Sequence, residues 1–476
     1  MSLAEAVRRP ALEQAELVRR GEISSEELVG AHLDLIAALQ PQLAAFVQVL
    51  DARARRHARA SDRRRRARGH AARAFDGVPS AIKDADPLRG AFMRVGSRAY
   101  RYAWTPFDGP ATRRLRRAGL VFCGKTSTSE LTLMPVVEPD IHPPTRNPWN
   151  LDHSAGGSSG GAAAAVAAGM LPVAHASDGA GSIRIPAAFC HLFGFKASRA
   201  LLPNFYARFD PLGLSATGAV THTVDDSAAV LDALRGDVAH PATPGSLLAE
   251  VRRAPPAGLR VKLCLESPLA EVDPEIAAAV TGVARLLEGL GHRVDTTAAL
   301  AAEVEEFMPI FQRLAAGAPV LREASLQPIT RWLRVPGRRV SLAQAREVQE
   351  RLSRRVLDWF GDADLALLPA VAALAPRVYA WRDLPPEEGF ARAAKLGAFT
   401  AAFNVSGQPA ASLPVGVSAA SGLPYAAQLV ARPGADLVLL QTCRQLESAL
   451  AWTRRRAPPQ AGAGTPGDGA GDAAHH

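Results

Sequence analysis

Three clusters in this 476-residue chain carry side chains able to do chemistry. Gly119, Gly124, Lys125 and Thr126 satisfy the G-x-x-x-x-G-K-T spacing of a phosphate-binding loop. Such a loop works because unhindered backbone N–H groups wrap the phosphates between a strand and a helix. Here the intervening Leu120, Val121, Phe122 and Cys123 read as the strand itself, and Gly119 sits where a preceding helix must end. The context is inverted, and nucleotide binding is not expected. Ser80 and Lys83 satisfy the S-x-x-K spacing of a serine nucleophile with a lysine base. That pairing needs a helix, which brings i and i+3 onto one face. After Gly77, Val78 and Pro79 the segment reads as extended, and a strand sends the two side chains to opposite faces. The third cluster is the run Gly156, Gly157, Ser158, Ser159, Gly160, Gly161, followed by Asp178, Gly179, Ala180, Gly181, Ser182, Ile183, Arg184, Ile185 and Pro186. Serine hydroxyls beside unhindered backbone N–H groups suit acyl chemistry, but taken alone each loop is only a glycine-rich turn.

These loops need elements to hold them. Ser24 with Glu27 three residues on fits a capping box, and the helical period of LVGAHLDLIAAL follows. Residues 51–74 read as an Ala/Arg helix. A turn at Asp76 and Gly77 leads into a short strand, and residues 110–118 into a helix closed by Gly119. The small-apolar stretch 160–176, interrupted by Pro172, is short for a membrane span and reads as a buried helix running into the strand VAHAS. From 220 to 457 helical patterns alternate with LRVKLCL, DLALLPA, PAASLPVGV and YAAQLVA, which argues for an α/β fold. The Pro/Gly/Ala-rich segment 458–476 reads as a disordered tail.

Composition narrows the function. With 48% hydrophobic residues the chain can bury a substantial core. Cys123, Cys190, Cys264 and Cys443 have neither disulfide nor metal spacing, so a reducing compartment is expected, and the N-terminus lacks the apolar run of a signal peptide. Residues 51–74 hold ten arginines against two aspartates, eight of the nine net positive charges. The rest is nearly neutral, and no aromatic residues interleave for base stacking, so a nucleic-acid partner is not expected. Only five of the 55 basic residues are lysine: Lys83, Lys125, Lys196, Lys262 and Lys395. A lysine that persists where arginine is the default marks a place where lysine itself is needed.

Taken together and in order, the two Gly/Ser loops and the upstream Gly77, Val78, Pro79, Ser80, Ala81, Ile82, Lys83, Asp84 closely resemble the amidase signature family of serine hydrolases. The likeness extends to Gly124 through Glu130, to Arg146, Asn147, Pro148, Trp149, to Phe195, Lys196, Ala197, Ser198, to Asn404 through Ala410, and to Gln428, Leu429, Val430. It covers roughly residues 5–457. It implies the amidase signature fold: one domain over 1–457 with a helical segment 1–74, a signature core at about 75–235, and a large mixed sheet covered by helices on both faces. Pairing TRNPW with DGAGSIRIP looks most like the branch of general amidases and cyclic-dimer nylon-oligomer hydrolases.

The resemblance further implies a Ser–cisSer–Lys triad, with Ser182 as nucleophile, Ser158 as the serine after a cis peptide bond and Lys83 as base. The chemistry is coherent. A serine hydroxyl needs a base, burial favours a neutral lysine, and arginine cannot lose its proton. The backbone of Gly179, Ala180, Gly181 and Ser182 would supply the oxyanion donors. Alanine stands where the family usually has glycine, and it resists positive φ. Ser159, Asp178 and Arg184 are expected to support the loop, and no cofactor or metal is implied. His142, His153, His175 and His191 lie near these motifs, but each is as readily a core or loop histidine.

The acyl pocket is expected from segments 133–144, 307–321 and 379–390, whose Met134, Phe311 and Trp381 favour an apolar aryl or alkyl acyl group. The partner is then a small-molecule amide, with no membrane. The family often forms homodimers, and a cytoplasmic setting is expected from the cysteine usage. A glutaminase subunit of an amidotransferase is an alternative in the same family, but such subunits usually carry an aspartate where Gly397 stands. A biosynthetic amidase or acyltransferase is another alternative. An Arg-helix nucleic-acid-binding protein with a degenerate hydrolase core is the remote one.

Overall fold

The computed structural model describes residues 2–67, 72–236 and 245–458. The expected disordered tail lies outside the described residues beyond position 458. Among the described residues are sixteen α-helices and an eight-stranded sheet. In spatial order its strands are Arg293–Thr296, Arg260–Leu263, Leu365–Pro369, Pro424–Ala431, Ala410–Val417, Phe193–Lys196, Ala216–Thr221 and Val173–Asp178. The first three run parallel and every later pairing is antiparallel, so the sheet is mixed. All four strands read from the sequence beyond residue 220 are in it.

Side chains alternate across the strands and feed two faces. Phe193, Phe195, Leu365, Leu367, Leu429 and Ala431 pack with helices Val224–Arg235, Pro274–Gly289 and Asp436–Leu450. On the other face Ala174, Ala176 and Val220 meet helix Gly160–Ala167, and Ala366, Leu368 and Val430 meet Phe403 and Phe360. Helices therefore cover both faces, as expected.

A second sheet of three strands, Phe46–Val49, Val121–Thr126 and Pro79–Lys83, brings in the N-terminal region. Strand Val121–Thr126 begins where helix Pro110–Arg117 ends, with Gly119 at φ +106. The phosphate-loop spacing is therefore helix end plus strand, the inverted context. Helix Ser25–Leu43 starts with the expected capping box: Ser24 Oγ accepts from Glu27 N at 3.1 Å, and Ser24 N donates to Glu27 Oε2 at 2.8 Å.

The Arg-rich helix, Asp51–Arg66, buries Ala54, Ala58, Ser61 and Asp62 and leaves Arg56, Arg59, Arg63 and Arg66 exposed. Asp62 accepts the N–H groups of Ser25 and Glu26 at 2.9 and 3.0 Å, so this helix caps its neighbour. Arg59 pairs with Glu26 at 2.7 Å and Arg55 with Asp51 at 3.1 Å. Part of the charge run is thus answered within the protein. The four cysteines are buried and unbridged. Among the described residues no helix is long and apolar enough to cross a membrane.

Candidate active site

Lys83 closes strand Pro79–Lys83, which runs parallel to Val121–Thr126. Its other flank lies against Val173–Asp178, the edge strand of the large sheet. Among the hydrogen bonds that join them, Ser80 Oγ donates to Val173 O at 3.0 Å, and Lys83 N donates to His175 Nδ1 at 3.4 Å. Ser80 and Lys83 have separate partners, as extended backbone requires, so the S-x-x-K spacing forms no catalytic pair.

The Lys83 side chain has no solvent exposure. Its Nζ lies 2.8 Å from Ser158 Oγ, 2.9 Å from Ser159 Oγ, 3.1 Å from Ser177 Oγ and 3.3 Å from Ser177 O. Burial lowers its pKa to about 7, against the opposing pull of the Asp86 and Asp178 carboxylates. At neutral pH much of this amine is unprotonated. The Gly157-to-Ser158 peptide bond is cis, and Ser159 opens helix Gly160–Ala167. Gly161 lets that helix press against the second sheet, because a Cβ there would sit 2.4 Å from Ser127 N.

The second loop leaves strand Val173–Asp178 and is held by Asp178. Arg184 donates to both carboxylate oxygens of Asp178, Nε to Oδ2 at 2.9 Å and Nη2 to Oδ1 at 3.0 Å. The same guanidinium reaches Gln428 Oε1 and Asn404 Oδ1, each at 2.6 Å, and Thr400 O at 3.0 Å. Asn404 Nδ2 returns to Asp178 O at 2.8 Å. Burial opposes ionisation of Asp178, but Arg184 outweighs it and holds the carboxyl below the usual aspartate range.

The loop's N–H groups divide unequally. Gly181 N donates to Asp178 Oδ1 at 2.6 Å. The expectation of four donors facing a substrate is thereby corrected: this one is spent on the scaffold. Among the described residues Gly179, Ala180 and Ser182 have no acceptor for theirs. Gly181 sits at φ +124, and a Cβ there would come 2.3 Å from Thr400 Oγ1. Ala180 is not among the left-handed residues, so alanine fits without strain where positive φ was a concern. Its carbonyl accepts from Thr400 Oγ1 at 2.7 Å.

Ser159 N donates to Ser182 O at 3.2 Å and stitches the two loops together. Ser182 Oγ has no hydrogen-bond partner among the described residues, and the residue lines an open cleft. The cleft wall draws Leu133, Phe307, Phe311 and Phe390 from the three expected segments. Met134 and Trp381 do not line it. Trp381 packs instead against a cluster containing Val371, Ala375 and Leu396. Residues 264–269, 300–304 and 393–403 also contribute, which the sequence did not reveal. Glu266 is the one charged lining residue among those described.

Among the histidines, His175 Nε2 meets Thr217 Oγ1 at 3.0 Å and His191 Nε2 meets Trp452 O at 3.3 Å. His142 Nδ1 meets Pro143 O at 2.9 Å, and His153 bridges to Arg377 through backbone. None hydrogen-bonds Ser158, Ser159 or Ser182. Sequence reasoning missed Ser177 and Thr400, whose one signal was a polar residue in an otherwise small or apolar segment. Asn404 and Gln428 stood inside matched segments, without a role.

Known proteins share this architecture. The Amidase family model matches residues 27–440. The 6-aminohexanoate-cyclic-dimer hydrolase of Paenarthrobacter ureafaciens is 34% identical over an alignment of 483 positions that covers 93% of this chain and 95% of that protein. A solved structure of 6-aminohexanoate cyclic dimer hydrolase has a TM-score of 0.84 at 32% identity, covering 95% of this chain and 99% of that one. A bacterial aryl acylamidase of the amidase signature family has a TM-score of 0.81 at 26% identity, over 94% and 97% of the two chains. With the family model spanning most of its length and a relative above 30% identity covered almost end to end, this chain belongs to the amidase signature family and is an amidase.

Proposed function

We propose that this amidase works through a seryl acyl-enzyme, with Ser182 as nucleophile, Ser158 as proton relay and Lys83 as neutral base. The observation that carries the assignment is the 2.8 Å contact between Lys83 Nζ and Ser158 Oγ, two residues with no solvent exposure. Ser182 attacks the amide carbonyl carbon as its proton passes to Ser158, and the proton of Ser158 passes to Lys83. The oxyanion forms beside the N–H groups of Gly179, Ala180 and Ser182. When the C–N bond breaks, the departing nitrogen takes a proton through Ser158, and Lys83 is neutral again. Water then repeats the sequence on the ester, releasing the acid and restoring the Ser182 hydroxyl.

The cleft supports an apolar acyl group, aryl or alkyl. Phe307, Phe311, Phe390 and Phe399 line it, and apolar walls with few polar groups favour such ligands. Gly397 lines it too, so that position offers no carboxylate to hold the amino group of glutamine. The named relatives act on a 6-aminohexanoate cyclic dimer or are aryl acylamidases, and both descriptions suit this wall. The four buried thiols fit a cytoplasmic setting, and a homodimer is compatible with the reading. The test is an amide panel read by intact-protein mass spectrometry. An acyl adduct on Ser182 with an apolar acyl group is expected, and an adduct on any other residue overturns the assignment.

A further inference from the structure

The wall of the cleft carries a single charge, on Glu266, and no basic residue among those described lines it. Glu266 is exposed. Among the described residues no hydrogen bond or ion pair occupies its carboxylate, although the chain has 55 basic residues. Basic groups on neighbouring elements are engaged elsewhere. Lys262, on the strand that leads into this turn, donates to Trp359 O at 2.8 Å, and Arg355 pairs with Glu306 at 2.6 Å. A carboxylate left unanswered at the wall of a substrate cleft is free to accept from a cation on the substrate.

The backbone around Glu266 is held, although its side chain is free. The buried Cys264 Sγ lies 3.4 Å from Glu266 O and 3.7 Å from Ala298 O, and Cys264 N donates to Leu367 O at 3.0 Å. Ser267 Oγ accepts from Leu269 N at 3.2 Å, and the ring of Pro268 fixes its own φ. Residues 397–403 set the distance from this turn to the catalytic loop. On one side Thr400 Oγ1 donates to Ala180 O at 2.7 Å. On the other, Phe399, Ala402 and Phe403 pack in one cluster with Cys264. The Ser182 loop and the Glu266 turn are therefore separated by the width of one helical segment, roughly 10 Å. An extended chain of about six to nine atoms spans that gap. Glutamine does not, because its ammonium stands too few atoms from its side-chain amide.

We propose that Glu266 is a specificity residue that binds a cationic group at the far end of the acyl chain, so that the preferred amides carry an apolar chain ending in an ammonium. The proposal rests on the Ser182 acyl-enzyme reading above. Leu300, Phe307 and Phe311 line the same cleft and suit the methylenes between the two ends. An aliphatic amine is protonated at neutral pH. Its attraction to the carboxylate is stronger beside apolar walls than in open water. Glu266 takes no part in the bond changes at Ser182: it selects the substrate that reaches them.

The test uses the full chain and p-nitroanilides whose acyl chains, of about five to nine carbons, end in either an ammonium or a methyl group. The readout is kcat/KM for the ammonium chain divided by kcat/KM for the methyl chain of equal length. In the wild type this ratio is expected to peak at one chain length, and Glu266→Gln is expected to lower the peak about tenfold. Glu266→Asp keeps the charge on a side chain one carbon shorter, and its peak is expected at a chain one carbon longer. That shift separates contact from attraction at a distance, which acts on every length alike. A ratio that Glu266→Gln leaves unchanged, or lowers equally at every length, overturns the inference. So does a wild type that cleaves methyl chains and no ammonium chain. A general loss of activity in the variant lowers both series together and counts as an unchanged ratio. If a fluorophosphonate probe labels a residue other than Ser182, the reading of the active site itself fails, whatever the ratio.

Discussion

Arg184 and Asp178 form a buried two-point ion pair, and neither side chain has any solvent exposure. The pair ties the start of the Ser182 loop to the helix that follows it. Through Asn404, Gln428 and Thr400 it also ties the loop to segments more than 200 residues away. Removing one partner of a buried pair leaves the other charged and unsolvated. Arg184→Met is expected to lose about 3–5 kcal/mol in urea unfolding, and a loss below about 1 kcal/mol would show the pair to be dispensable. The Asp178 carboxyl is depressed in the folded state. Its stabilising contribution is therefore complete above the unfolded aspartate value and disappears only as the pH falls toward the lower folded one.

Lys83 should control the acid side of the rate profile. Its folded pKa is about 7, and only the neutral amine can accept a proton. Activity is expected to rise with pH through that value, as measured by kcat/KM on an amide substrate. Lys83→Arg should be as inactive as Lys83→Ala, because a guanidinium keeps its proton. Near-wild-type turnover by the arginine variant would rule out a neutral base.

The two serines should differ in labelling and agree in turnover. Ser182→Ala is expected to abolish fluorophosphonate labelling. Ser158→Ala keeps the nucleophile but cuts its link to Lys83, so slow labelling at Ser182 should persist. Both should reduce kcat by on the order of a thousandfold or more. Retained labelling of Ser182→Ala at another serine would reassign the nucleophile.

The loop backbone yields a contrast between neighbours. Gly181→Ala places a Cβ at φ +124 and within 2.3 Å of Thr400 Oγ1. It should destabilise the protein by more than about 1 kcal/mol and remove activity. Ala180 has no such conformation, so Ala180→Gly relieves no strain. A change in kcat within about threefold is expected, with a stability cost of about 0.5–1 kcal/mol. Equal damage from the two substitutions would contradict the loop geometry.

The cleft wall should govern substrate choice without touching the chemistry. Phe311→Ala is expected to lower kcat/KM for apolar acyl amides by about 10–200-fold. Its labelling rate with a small fluorophosphonate should stay near wild type. Loss of labelling would place Phe311 in the machinery rather than in the wall.

The local features were present in the chain itself. The turns at Gly77 and Gly119, the capping box at Ser24 and the sheet strands after residue 220 follow from short-range rules of φ, capping and period, which need no distant partner. The rarity of lysine marked Lys83, and the two serine loops marked its chemistry. The surroundings of Lys83 were not legible in this way. Ser177 stands 94 residues away from it in the chain. Their meeting depends on how the second sheet docks against the edge of the first. The same holds for the commitment of the Gly181 N–H to Asp178 and for the wall residues between 264 and 304. A pKa near 7 comes from the desolvation of the amine by whatever surrounds it. Those neighbours are assembled only by tertiary packing.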